Sequence, residues 1–170
     1  MKKTKPYHHG NLRETLLRAA IGLVGEVGPT AFTLREVARR AGVSHNAPYR
    51  HFRDKEDLIR AVAAEGYGEL TSAMIAAAAR QARALDRLKH AGLAYIDFAL
   101  RRPEHFTVMF DAPISKRKHP DSAAAGDQTF ETLLGFAKSC QDAERLPFRS
   151  NAEVLKFGEF VIDQSLPVSR

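Results

Sequence analysis

Residues 33–55, TLREVARRAGVSHNAPYRHFRDK, leave a folding chain few options. Thr33 followed three residues on by Glu36 has the spacing of a capping box, a hydroxyl at the N-cap and a carboxylate at N3. Leu34, Val37, Ala38 and Ala41 then recur at helical spacing, which leaves Arg35, Arg39 and Arg40 outside. Gly42 supplies the positive φ that lets the chain reverse after the helix. Ser44 is expected to cap a second helix whose first turns carry His45, Asn46, Tyr49, Arg50 and His51. Pro48 lies about four residues into it, where it costs only the bond back to the Ser44 carbonyl, so that helix is expected to survive. An apolar helix, a glycine turn and a polar, aromatic helix make a helix-turn-helix: the first braces, the second faces the major groove. A generic helical hairpin with a solvated basic face would not need caps, turn, charge and aromatics to agree in this way.

These residues resemble the tetracycline-repressor-like (TetR) family of bacterial transcriptional regulators. The likeness runs over about 11–58, and its strongest piece is 41–55, AGVSHNAPYRHFRDK. The opening 8–14, HHGNLRE, is similar to one subgroup. Beyond about residue 70 the likeness is faint. The resemblance implies an all-α chain: a three-helix helix-turn-helix head over 1–54, continued into a ligand-binding and dimerisation body over 55–170. It further implies a double-stranded DNA operator, a homodimer and a small apolar or aromatic effector as partners, and a repressor released by that effector. Carried over position by position, it puts His45, Asn46, Ala47 and Arg50 at base edges, with Arg35 reaching from the bracing helix. Asn pairs bidentately with adenine, Arg with guanine, and the Ala47 methyl suits thymine. Thr33, Tyr49, His51 and Lys55 fall at positions that hold the phosphate backbone, and Ser44 at the cap of the second helix.

Charge agrees with a polyanion partner. The chain of 170 residues carries a formal net charge of +6. Residues 1–66 hold 12 Lys+Arg against 7 Asp+Glu, whereas the remaining 104 hold 14 against 13. Positive charge gathered on the expected reading head is the footprint of nucleic acid. No apolar run approaches the roughly 18 residues of a spanning helix, so no membrane partner is expected. MKKTK opens the chain without an apolar segment behind it, unlike a secretory signal. The single Cys140 excludes an intramolecular disulfide and fits a reducing cytoplasm, where the protein is expected.

The rest of the chain is expected to be helical throughout. Asn11 and Glu14 form another capping pattern, opening a helix to about Val27 with Leu12, Leu16, Ala19, Ala20, Leu23 and Val27 inward. Phe32 and Phe52 are expected to plug the head. Asp54 caps a helix over about 55–81 that turns Leu58, Ile59, Val62 and Ala63 inward and is weakened locally at Gly66 and Gly68. Further helices are expected over 84–101, from Pro103, around Phe130 to Ala137, and over 151–165. Residues 112–128, with two prolines, a Lys-Arg-Lys run and small residues, are expected to form a mobile loop.

Tyr95, Phe98, Phe106, Met109, Phe110 and Phe130 are the candidate effector-lining residues, against the plainer reading that they are helical core. The subgroup resembled ends with a tryptophan-containing stretch, and in the family the last two helices form the dimer interface. This chain has no Trp, so its C-terminus is expected to be atypical or truncated.

Other chemistries find less support. His8-His9 without a nearby carboxylate or thiol makes a poor metal site, and neither a metal nor a cofactor is expected. His119-Pro120-Asp121 matches the tripeptide of J-domain co-chaperones, but Pro113 breaks any helix leading into it. No glycine-rich phosphate loop, His-Glu-x-x-His helix or Gly-x-Ser-x-Gly elbow occurs, so no enzyme is expected. Two alternatives stay open: a non-specific nucleic-acid or chaperone-type helical module, and an unrecognised hydrolase.

Overall fold

The computed structural model describes residues 12–111 and 120–144, with side chains over 12–110 and 124–143. The described residues hold six α-helices and one 3-10 turn. The helices are α1 (Leu12–Val27), α2 (Leu34–Arg40), α3 (Lys55–Ala79), α4 (Ala84–Arg101), α5 (Pro103–Asp111) and α6 (Pro120–Glu144). No strand occurs among these residues.

Local chemistry explains most of these bounds. Thr33 caps α2 and Glu36 answers it, completing the capping box. Such a cap stabilises a helix by about 1 kcal/mol. Asp54 caps α3 by accepting the Asp57 N–H at 2.7 Å. Gly28 at φ +82° and Gly42 at φ +69° turn the chain after α1 and α2. Both conformations are strained for any residue with a Cβ.

One continuous core joins the head to the body. It takes in Leu16, Leu17 and Leu23 of α1, Phe32, Val37 of α2, Phe52, and Leu58 and Val62 of α3. It then runs on through Leu70 and Met74 to Phe98 of α4 and Val108 of α5. A smaller cluster of Leu88, Leu134, Ala137 and Cys140 joins α4 to α6. Gly66 is buried where α3 meets α5, and a Cβ there would lie 2.6 Å from the Met109 sulfur. The glycine therefore permits a close approach between helices, and α3 runs through it unbroken.

Three expectations need correction. The second helix of the head is not an α-helix: Pro48–Arg50 form a 3-10 turn. Its cap residue is Ala47, which makes no side-chain capping bond. Pro48 has no N–H, and the neighbouring amides close i→i+3 instead: Ala47 N–H to Ser44 O (2.9 Å), Arg50 N–H to Ala47 O (3.3 Å). Val27 ends α1 half-exposed rather than buried, and Leu17 and Val24 fill the inner face. The expected loop over 112–128 is cut short, because α6 begins at Pro120. Proline is favoured in the first turn, where its missing donor has no partner to lose, and the alanines after it are strong helix formers. The Asn11 cap, His8-His9, His119 and the helix over 151–165 lie outside the described residues.

Candidate nucleic-acid interface

The segment between α2 and α3 presents its polar side chains to solvent. Arg35 on α2 and His45, Asn46, Tyr49, Arg50 and His51 beyond it are exposed, as is Ser44, while Ala47 is half-buried. Tyr49 is 54% exposed, although a core-packing role would have hidden its ring. Pro48 and Phe52 turn the opposite way, into the core. The tight turn thus keeps the two-sidedness expected of a reading helix, with Pro48 and Phe52 committed to packing.

Ion pairing separates the arginines into two sets. Arg40 makes two bonds to Glu26 of α1, one of 2.7 Å from Nη2 to Oε1. Its guanidinium rests against Gly22, where a Cβ would come within 2.8 Å of it. The bond to Arg40 holds the Glu26 carboxyl below the usual carboxylate value. Arg53, at the other end of the segment, is held by Asp57, with Nε 3.3 Å from Oδ2. Arg35 and Arg50, between or beside these two, make no ion pair with a described residue. Arginines already neutralised inside a fold brace it, and unneutralised ones are available to an external anion.

Two expected backbone anchors are engaged within the fold. The Thr33 hydroxyl accepts from the Glu36 N–H and donates to its carboxylate at 2.9 Å. These contacts lower the Glu36 pKa. Lys55 Nζ donates to the Thr30 carbonyl at 2.7 Å and lies 4.4 Å from the Phe32 ring centroid. Burial depresses its pKa, against the opposing pull of Glu36. Sequence periodicity missed Arg40–Glu26 and Arg53–Asp57. The second had a signal, an i,i+4 spacing across the start of α3.

The candidate effector residues divide. Tyr95, Phe106 and Phe110 meet, with Phe106 and Phe110 centroids 4.6 Å apart and Tyr95 edge-on to Phe106 at 5.8 Å. Tyr67, which the sequence did not single out, joins them 6.1 Å from Phe110, its hydroxyl donating to the Met109 carbonyl. Burial raises the pKa of both tyrosines. Phe98 and Met109 are core residues. Phe130 stands half-exposed on α6 and stacks on none of these rings. An open groove of about 340 Å³ between α3 and α4, floored by Ala73, Ala77 and Ala94, takes in Phe98 alone of the six. His105 of α5 is buried, and neither ring nitrogen has a hydrogen-bond partner among the described residues. Its Nε2 lies 3.7 Å from Glu65 Oε1 of α3. No group of three metal-ligating side chains occurs among the described residues, and no described helix is long and apolar enough to cross a membrane.

A capped bracing helix, a glycine turn and an exposed basic and aromatic segment, joined by one long helix to a helical body, define a helix-turn-helix protein of the regulator class. Residues 16–62 match the model of bacterial regulatory proteins of the tetR family, and residues 88–158 match the tetracyclin repressor-like C-terminal domain. Together these take in more than half of the chain, and the chain belongs to the tetR family of bacterial regulatory proteins. The second match carries the likeness well past residue 70, where it was faint in the sequence.

Over 49 residues the chain is 47% identical to the tetracycline repressor protein class A from transposon 1721 of Escherichia coli, spanning 29% of this chain and 23% of that one. It is 35% identical over 86 residues to the HTH-type transcriptional regulator BetI of Rhizobium meliloti, 51% of this chain and 41% of that protein. The matched segments therefore span less than half of these relatives. Among solved structures, a protein of unknown function from Rhodococcus sp. RHA1 superposes with a TM-score of 0.76 at 27% identity, covering 98% of this chain and 91% of that one. A tetR-family regulatory protein from Rhodococcus RHA1 reaches the same TM-score at 24% identity, over 95% and 87% of the two chains, and shares the fold.

Proposed function

We propose that this chain is a sequence-specific DNA-binding transcriptional regulator, acting as a repressor that a small molecule releases from its operator. The observation that carries this reading is the sorting of arginines. Arg40 and Arg53 are neutralised at the two ends of segment 41–53, while Arg50 within it stays exposed and unpaired among the described residues. Arg35, His45, Asn46, Ala47 and Arg50 read base edges in this proposal, and Ser44, Tyr49 and His51 contact the backbone. Thr33 and Lys55 act by holding α2 and α3 in place, consistent with their internal bonds.

The head spans 1–54 and the body 55–170. Two copies pair in the cytoplasm so that their heads reach successive major grooves, about 34–36 Å apart. The meeting of Tyr67, Tyr95, Phe106 and Phe110 supports an apolar or aromatic effector, bound against those rings. The protein acts by binding, with no catalytic group assigned. Selection of duplexes from a random pool tests this directly. A recovered consensus with two half-sites, bound by a dimer, is expected; uniform, salt-sensitive binding to every duplex would replace the reading with a non-specific one.

A further inference from the structure

The 3-10 turn gives the reading segment few internal bonds: its amides close short turns onto Ser44, Ala47 and Pro48, and a single α-type bond, Phe52 N–H to Pro48 O at 2.9 Å, follows before the ladder stops. The next donor along the chain is the Arg53 N–H. In a continuous α-helix it would bond the Tyr49 carbonyl; here it donates to Asp57 Oδ2 at 3.0 Å. Asp57 belongs to α3, the helix that runs on into the body.

The same carboxylate gathers two guanidinium groups. Arg53 Nε reaches Oδ2 at 3.3 Å, and Arg60 Nη2 reaches Oδ1 at 3.1 Å. Arg60 is almost wholly buried and also donates through Nε to the Glu56 carbonyl. Burial raises the Asp57 pKa, but the bonds from the Arg53 backbone and side chain and the charges of Arg53 and Arg60 outweigh it and hold the carboxyl below its usual value. A carboxylate kept ionised and held from one side by a buried arginine cannot swing away from the backbone it accepts from.

We infer that Asp57 is a positioning residue for DNA reading: by pinning the Arg53 amide it fixes the direction in which Tyr49 and Arg50 leave the surface, and it fixes it relative to α3. Phe52, buried in the core beneath the Arg13 guanidinium, supplies the second point of the clamp. Two fixed points on consecutive residues define an orientation, where one alone leaves the turn free to swivel. This role rests on the proposed DNA reading, since it concerns how base-reading side chains are aimed.

The test compares Asp57→Ala with Arg53→Ala on a duplex enriched from a random pool and on an unrelated duplex. Arg53→Ala keeps the backbone donor, so its preference for the enriched duplex should stay within about threefold of wild type. Asp57→Ala removes the acceptor and should lower that preference about tenfold, the range of one lost base contact, with affinity for the unrelated duplex nearly unchanged. Hydrogen exchange at the Arg53 amide should accelerate in Asp57→Ala while amides of α4 and α5 hold their protection. Equal losses in the two variants would make the guanidinium pair, not the backbone pin, responsible and overturn the inference. A preference kept intact by Asp57→Ala overturns the positioning role alone; a wild type that prefers no duplex overturns the DNA reading beneath it. The wild type supplies a check that needs no variant to fold: an Arg53 amide exchanging as fast as in an unstructured peptide removes the pin.

Discussion

The reading segment 41–53 leads into α3, the seam with α5 lies further along that helix, and the two solve opposite problems. The segment is short, polar and solvent-facing, with side-chain donors left unused among the described residues and its ends tied by Arg40–Glu26 and Arg53–Asp57. The seam is close, with Gly66 against Met109, and among the described residues it leaves the buried His105 without a hydrogen bond. The seam is held by close packing, whereas the segment keeps its donors exposed and takes its support from bonds at its ends. Orienting bonds at the ends of a binding element free its middle for a ligand. A change in the seam should therefore alter stability first, and a change in the segment should alter binding first.

The largest effect is expected from Leu70→Ala, at a fully buried position of α3. It should cost about 2–5 kcal/mol of unfolding free energy, read by urea denaturation, with DNA affinity of the folded fraction intact. Arg50→Ala should do the reverse: about 1–3 kcal/mol lost in binding to the preferred duplex, relaxed choice at one base pair per half-site, and an unchanged melting temperature. If it weakens all duplexes alike, Arg50 contacts phosphate only. Gly66→Ala should destabilise by roughly 1–3 kcal/mol because Met109 must move, whereas Gly68→Ala, which meets nothing within 4 Å, should stabilise by about 0.5–1 kcal/mol. Equal signs for the two glycines would dissolve the contrast between seam and surface.

Thr33→Ala should cost about 1 kcal/mol through the lost cap. The smallest effect is a slope with pH. Glu26, Glu36 and Asp57 all have lowered pKa values. A carboxylate lowered on folding contributes stability above its unfolded pKa and loses it as pH falls through the folded one. Melting temperature should accordingly decline below about pH 5, and Glu26→Gln should flatten the decline. An identical profile for that variant would show that the Arg40 clip adds nothing to stability.

Local signals carried most of the fold. Thr33 and Asp54 announce helix starts through their own side chains, and Gly28 and Gly42 announce ends through a conformation other residues resist. The helix over 84–101 and the opening at Pro103 followed from periodicity and from proline's preference for a first turn. Pro48 and Pro120 were harder, since each is a competition: Pro48 tipped a nascent helix into a tighter turn, while Pro120 began a helix within a stretch that reads as loop. The exposed face of the reading segment was legible from residue type alone. What the arginines do was not, because the partner of Arg40 lies 14 residues away on another helix, and no spacing rule encodes that distance. Tyr67 escaped notice for the same reason, as its ring partner lies on α5.

The tight contact at Gly66 has a mechanical consequence. α3 has 25 residues and so measures about 37 Å, with Gly66 about 16 Å from its first residue. If the Met109 contact serves as a fulcrum, a pivot of about 5° displaces the Lys55 end by roughly 1.4 Å, and the Asp57 carboxylate travels with it. Hydrogen bonds to base edges tolerate only a few tenths of an ångström. In the proposed DNA-reading role, a rod balanced near its middle would turn a small rearrangement among the rings of the body into a misfit at the groove, with its gearing set by where along α3 the glycine falls.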